Sequence, residues 1–315
     1  LMHGAVISSA GRPLHVFPEV QEISIGLAAA GEFLRGTRPS QNGLALLYSQ
    51  KVARIQTFQP IMPGLSYQSK VQESVYRPML QAQLRPDIIS PEADLSQYRV
   101  IVAPLLLGLD EADLRSRLRE WVEAGGILVI GPMSDIRDGQ GAKFTHAPLG
   151  SLEEWTGVHC RHTVPGVPKD LLLRWEDGHE SAGSLWFDAF EPNEAQVLAT
   201  YLDWPNEGLA AVTSSSLGKG RIILLGTLPT TEDLQALLLR VCDEAGINPV
   251  AEASGNLLIV PREGEGQRGL VAVEVGNQEE CSVTQKLARF VDRFRRMSKS
   301  KSMSHLVSHD LGESR

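Results

Sequence analysis

Two short stretches carry side chains able to do chemistry. His159-Cys160-Arg161-His162 sets three potential metal donors within four residues. Zinc sites pair their ligands at C-x2–4-C or H-x3–5-H spacing and add a second half elsewhere. No second half accompanies this stretch, so it reads as surface or partly buried residues and no metal is expected. Gly218-Lys219-Gly220 resembles part of a phosphate loop, but that loop needs G-x-x-x-x-G-K-[ST] followed by a helix. Here Arg221 and an apolar strand follow, which makes the stretch a hairpin turn. The acidic pairs Asp110-Glu111, Glu153-Glu154 and Glu279-Glu280 have no spacing that sets two carboxyl groups across a cleft, and are read as solvated charges.

Composition narrows the field further. The 315 residues are 42% hydrophobic and 22% charged, ordinary for a globular protein of about two domains. A net charge of −8 argues against nucleic acid as the main partner. No apolar run reaches the roughly 18–20 residues of a membrane span, so no membrane partner is expected. Cys160, Cys242 and Cys281 are far apart and odd in number. They form no disulfide framework, which favours a reducing, cytoplasmic compartment. No cofactor is implied.

The elements that must position any site are organised around residues 98–131. Val100–Val102 and Ile127–Ile130 are apolar runs without polar alternation, as in strands covered on both faces. Between them Leu114, Leu118, Trp121 and Val122 line one side of a helix. Asp110 is expected as its N-cap and Gly125-Gly126 as its stop. The stretch is a βαβ unit with a right-handed crossover. Upstream, Leu44–Tyr48 and Asp87–Ile89 read as strands flanking a helix over 67–84, which Pro78 must kink or split. Repeated β-α-β order implies a doubly wound, flavodoxin-like α/β domain.

Downstream, 133–150 is a long polar loop and 152–158 a short helix. Short antiparallel strands occupy 163–204. Ala210–Thr213 and Ile222–Gly226 are strands joined by the Leu217–Arg221 turn. A last helix runs over 231–245 with Thr231 as its cap. Leu257–Val260 and Leu270–Val275 form a small β module. Lys286, Arg289, Arg293, Arg295 and Arg296 mark a basic helix over 286–297, and 298–315 is expected to be disordered. At the N-terminus His3–Ile7 ends a strand, and Pro18-Glu19 open a helix bearing Val20, Ile23, Leu27 and Phe33. A lone βα piece cannot bury both its faces, so the chain is expected to begin inside a longer protein. His3 stands at the C-terminal end of its strand, where barrel enzymes carry their working groups.

The doubly wound pattern raises the class I glutamine amidotransferases, which need a nucleophilic cysteine on a sharp strand-to-helix turn. The comparable turn, Ala103-Pro104-Leu105-Leu106-Leu107, has no nucleophile, and no G-x-S-x-G occurs. The architecture is thus expected without that chemistry.

Several motifs together resemble the C-terminal portion of the family 42 glycoside hydrolases, the β-galactosidases. They are Asp87 through Pro104, Trp121–Gly126, Gly131-Pro132-Met133-Ser134-Asp135-Ile136-Arg137-Asp138 and Leu217–Arg221. His3-Gly4, Gly11-Arg12-Pro13 and Glu19-Val20 look like the last strand and helix of that family's (β/α)8 catalytic barrel. The resemblance, over residues 1–277, implies four segments. Residues 1–40 would end the barrel and 41–250 would form an amidotransferase-like trimerisation domain. Residues 251–280 would be part of a small β domain, and 281–315 a basic helix and tail. It further implies a homotrimer, a β-galactoside substrate for the complete enzyme, and a galactose-binding role for His3. The family's two catalytic glutamates would lie upstream, so no residue of this chain inherits a catalytic role.

Overall fold

A computed structural model of the chain describes residues 6–165, 170–253, 257–264 and 266–274. It divides into two compact units, 1–40 with 250–315 and 41–249. In the first, Leu14 N–H donates to Val6 O at 2.9 Å and Ile7 bridges Pro13. Helix α1 (Phe17–Ala29) has proline in its first turn, where the missing N–H costs nothing. It ends at Ala30, and α2 (Gly31–Gly36) follows at once. No side chain of α1 is buried; Val20, Ile23, Ile25 and Leu27 all face solvent. Strand β1 (Arg38–Pro39) completes this part.

The second unit opens with β2 (Leu44–Leu47) and α3 (Gln50–Phe58). Ser49 caps α3, its hydroxyl accepting from Val52 N–H at 3.1 Å. Helix α4 (Tyr67–Val71), a π turn (Gln72–Tyr76) and α5 (Arg77–Gln81) then follow without a break in the right-handed backbone. The α-helix is thus interrupted just before Pro78, as expected, but by a π turn rather than by a loop. Widening the turn before it to i→i+5 bonding keeps the backbone right-handed while making room for the ring.

Strands β3 (Asp87–Ile89) and β4 (Val100–Ala103) lead into the central crossover. Asp110 does not cap the helix. A 3-10 turn over Glu111–Asp113 intervenes, with Ala112 and Asp113 at φ +50° and +55°, and α6 (Leu114–Glu123) starts after it. The pivot lets Leu109 and Leu114 both turn inward, and each is fully buried. Leu118 and Val122 extend the buried stripe, as the spacing required. Strand β5 (Ile127–Ile130) follows. The expected loop over 133–150 is present, tied by an Arg137–Lys143 bridge.

Beyond α7 (Ser151–Thr156) come β6 (His159–Pro165), β7 (Leu171–Trp175), β8 (Glu180–Gly183), β9 (Trp186–Glu191) and β10 (Gln196–Tyr201). They pair antiparallel, as expected for 163–204. Strands β11 (Ala210–Leu217) and β12 (Gly220–Leu225) form the anticipated hairpin. Helix α8 (Thr231–Glu244) is capped one residue earlier than expected. The Thr230 hydroxyl, not that of Thr231, accepts from Asp233 N–H at 3.2 Å. In the first unit, β13 (Leu257–Gly264) and β14 (Gln267–Glu274) form a hairpin longer than the pattern indicated, and β1 pairs with β13.

The large sheet is mixed, in the order β3-β2-β4-β5-β12-β11-β10-β7-β8, with β9 joined to β11 and β6 to β9. β3, β2, β4, β5 and β12 are parallel neighbours. Every residue of β2 and β4 is buried. That matches apolar runs covered on both faces, and each of their leucine, valine and isoleucine side chains contributes about 1.5–3 kcal/mol. Where the β11–β12 turn packs on the end of α6, Gly220 leaves no room. A Cβ there would lie 2.1 Å from Val122 O and 2.3 Å from Gly126 O.

Gly220→Ala should therefore cost about 1–3 kcal/mol through overpacking against rigid backbone. A urea titration reading the unfolding midpoint checks this, and an unchanged midpoint would mean that this close approach is dispensable.

Candidate functional site

Sheets of this kind hold ligands in the crevice beyond the carboxyl ends of the parallel strands, where the strand order reverses. Here that point lies between β2 and β4. The loop leaving β4 is apolar. Leu105, Leu106, Leu107 and Leu109 are fully or almost fully buried, and Met133 from the loop after β5 joins them. Leu105 is at φ +52° and Met133 at φ +57°, left-handed backbone that costs about 1–3 kcal/mol in such residues. Packing compensates for it. Ser49, at the end of β2, donates from its hydroxyl to Glu111 Oε2 at 2.5 Å, and its N–H lies 3.3 Å from the hydroxyl of buried Tyr67. The crest is shut by leucines.

One ionic group lies under the crest. Asp135, also left-handed at φ +51°, has its side chain fully out of water. Arg115 of α6 binds it with both arms, Nη1 to Oδ2 at 2.6 Å and Nη2 to Oδ1 at 2.9 Å. Ser151 adds its backbone N–H at 2.8 Å and its hydroxyl at 2.7 Å. Arg115 also reaches Asp110 at 3.2 Å and Ser151 Oγ, and stacks over Phe144 at 6.0 Å. Burial works against the guanidinium charge, but the carboxylates of Asp135 and Asp110 outweigh it and raise its pKa. The cluster pins α6, the 131–150 loop and the start of α7 together. Its charges are paired with one another, so the cluster fixes local structure.

The sequence-level candidates are dispersed. Strand alternation in β6 sends His159 out to Glu153 and Arg161 out to Glu191, while Cys160 points into the core. His162 Nε2 lies 2.8 Å from Asn206 Oδ1. Among the described residues no His, Cys, Asp and Glu gather as a metal site. Burial, then the charge of Asp188, push the Cys160 thiol up to about 12, so it is no nucleophile. Gly218-Lys219-Gly220 is the β11–β12 turn, with Lys219 N–H donating to Glu123 O at 2.9 Å. His3, Glu279-Glu280, Cys281, the basic stretch 286–297 and the tail 298–315 lie outside the described residues.

A buried carboxyl that sequence reading missed sits between β6 and β9. Asp188 accepts from Thr163 Oγ1 at 2.6 Å and Trp186 Nε1 at 2.8 Å. Burial raises its pKa to about 6, with those donors and Met133 N–H opposing. No local pattern marks it, because Thr163 and Met133 come from β6 and the loop after β5 and only Trp186 is a near neighbour in sequence. At the opposite end of the sheet, Asp94, Tyr98, Arg99, Arg117, Glu120 and Trp121 line a shallow groove of about 580 Å³. Its cations are committed. Arg99 Nη1 binds Ala245 O at 2.7 Å and Arg117 Nη1 binds Pro91 O at 2.6 Å.

The unit is a mixed-sheet α/β domain whose strand-end crest is closed by leucines. The family described as β-galactosidase trimerisation domain matches residues 42–248, and the chain belongs to that glycoside hydrolase family 42 group. β-Galactosidase YesZ of Bacillus subtilis is 27% identical over 279 residues, spanning 87% of this chain and 41% of its own length. β-Galactosidase BgaB of a Geobacillus species is 29% identical over 208 residues, 66% of this chain and 31% of that protein. The crystal structure of a β-galactosidase from Bacillus circulans superposes with a TM-score of 0.80 at 22% identity, covering 88% of this chain and 42% of its own. The chain thus spans about two fifths of the length of the first of these relatives. Among the described residues no helix is long and apolar enough to cross a membrane.

Asp135→Asn should lower unfolding stability by about 3 kcal/mol, the lower end for breaking a buried pair, because Arg115 keeps some access to water. Arg115→Lys should lose less, keeping the charge without the fork. Chemical denaturation of both variants checks the order. A second expectation concerns pH. Unfolded, the Asp188 carboxyl titrates near about 3.9, whereas folded it keeps its proton up to about 6. Between these values the folded state binds more protons, so this group makes stability fall as pH rises through about 4 to 6. In Asp188→Asn that fall should flatten in thermal melts across the range; an unaltered profile would assign it to other groups.

Proposed function

We propose that this chain is the assembly-bearing, non-hydrolytic portion of a retaining β-galactosidase that removes terminal β-D-galactosyl residues. The carrying observation is the trimerisation-domain match over 42–248 on a unit whose strand-end crest is packed shut. Retaining glycosidases act with two carboxyl groups about 5–5.5 Å apart, one as nucleophile and one as acid/base. In this reading both belong to a catalytic barrel contributed by sequence other than residues 1–315. Residues 1–40 are that barrel's last strand and helix, and His3 helps hold the galactose. The exposed apolar face of α1 supports this, since Val20, Ile23 and Leu27 are spaced as a helix face that covers a barrel.

Residues 41–250 are, in the same reading, an amidotransferase-like, doubly wound trimerisation domain. Leu105 supports the finer assignment: its left-handed backbone stands at the turn after β4, where that architecture holds a nucleophile. Residues 251–280 are part of a small β domain and 281–315 a basic extension. The partner is a second and third copy of the chain, and the substrate a β-galactoside.

The test is direct. Light scattering on the purified full chain should give three times the 34.4 kDa chain mass, and the same protein should release no chromophore from a chromogenic β-galactoside. A single-chain mass at micromolar concentration would sink the assembly reading. Turnover that scales with protein concentration would sink the assignment of chemistry elsewhere.

A further inference from the structure

The turn between β7 and β8 reaches the start of α8, and one imidazole makes the contact. His179 Nδ1 lies 2.7 Å from Asp177 Oδ1 in its own turn, and Nε2 lies 2.8 Å from Asp233 Oδ1 in the first turn of α8. Both partners are carboxylates, which when ionised accept hydrogen bonds and have none to give. A neutral imidazole carries one N–H and can satisfy one of the two. The nitrogen left bare would turn its lone pair on a carboxylate oxygen. Filling both contacts takes the imidazolium, with a proton on each nitrogen. The ring is also fixed in plane, stacked on Trp175 with 5.8 Å between centroids and 5° between planes.

The two acceptors are held in their charged form. Thr230 Oγ1 donates to Asp233 Oδ2 at 2.7 Å, so the second oxygen is occupied too. Burial pushes the Asp233 pKa up, but hydrogen bonds from Ser181, Thr230 and His179 outweigh it and bring it below the ordinary value. The ring and then the backbone N–H of His179 hold Asp177 low. His179 in turn is raised, by Asp233 first and Asp177 second. The other charges here are Glu176, paired with Arg240 of α8, Glu180, paired with Arg174 across the hairpin at 2.8 Å, and Glu232 of α8. Carboxylates and arginines keep their charge between about pH 6 and 8.5, so the imidazole is the group of this cluster that changes there.

β8 is the last strand in the sheet order, with β7 as its neighbour. Its far end is anchored, since Ser184 N–H donates to Leu228 O at 2.9 Å and Thr227 Oγ1 to Ser184 O at 3.0 Å. β7 is held on its other side by β10. The tip of the hairpin, around 176–181, is therefore the part that its contacts with α8 must hold in place.

We propose that His179 is a pH-operated clasp. Protonated, it bridges Asp177 and Asp233 and pins the β7–β8 turn to α8; deprotonated, it keeps one bond of the two and lets the tip of the hairpin loosen. The sign follows from the raised pKa. Unfolded, the imidazole titrates near about 6.5. The clasp's contribution is fully present below that value and is lost as pH rises through the higher, folded one. That window lies above the one in which Asp188 acts.

NMR of the histidine rings and amide hydrogen exchange on the full chain test this, with His179→Gln and Asp233→Asn as variants. The His179 position is 46% exposed, and asparagine at 233 keeps an oxygen for the Thr230 hydroxyl; far-UV circular dichroism verifies that both variants fold. The ring signal that His179→Gln removes should show both nitrogens protonated at pH 6 and titrate above about 6.5. In Asp233→Asn that titration should move down. Exchange across 176–181, corrected for its intrinsic pH dependence, should be about fivefold less protected at pH 8.5 than at pH 6, and His179→Gln should abolish the difference. Equal protection at both pH values in the wild type overturns the clasp. A difference that survives in His179→Gln assigns it to another group and overturns it as well. A His179 titration unmoved by Asp233→Asn overturns the bridge to α8.

Discussion

The bidentate pair between Arg115 and Asp135 is the constraint on which the second unit's architecture turns. A carboxylate taken wholly out of water is tolerated only when its lone pairs are met. Asp135 meets them with a guanidinium fork, a backbone N–H and a hydroxyl. The donors come from the start of α6 and the start of α7, so the pair fixes where the helix and the long loop lie relative to the strand ends. Asp110 belongs to the same arrangement. Its engagement with Arg115 leaves no cap for the helix, and the chain instead pivots through Ala112 and Asp113 before α6 begins.

That arrangement explains why the expected location of chemistry is empty of it. The turn after β4 retains a strained, left-handed residue, but the residue is leucine and its side chain is core. Strain at such a place is sustained because surrounding packing over-determines it. The side chains there close over the strand ends. Function lives in sites grafted on a fold rather than in the fold itself.

The two units also illustrate different burial economies. In the second, β2 and β4 are buried along their full length. In the first, α1 buries nothing, and order comes from the hairpin and from Arg262. That guanidinium binds Leu34 O at 3.1 Å, Thr37 Oγ1 at 3.1 Å and Thr37 O. Four aliphatic side chains of α1, Val20, Ile23, Ile25 and Leu27, stay exposed.

Local pattern marked the two amphipathic helices by their spacing, the strands near 44–47, 100–103 and 127–130 by their unbroken apolar runs, and the hairpin at 217–221 by its glycines. Each is set by interactions between near neighbours or by burial of a repeating face, which local spacing reports. Tertiary structure decided everything that depends on residues far apart in the chain. The partners of Asp135 and the Thr163 and Met133 donors to Asp188 are of this kind. So is the dispersal of His159, Cys160 and His162. Alternation along a strand sends adjacent side chains to opposite faces, and only the packed sheet determines what waits on each side.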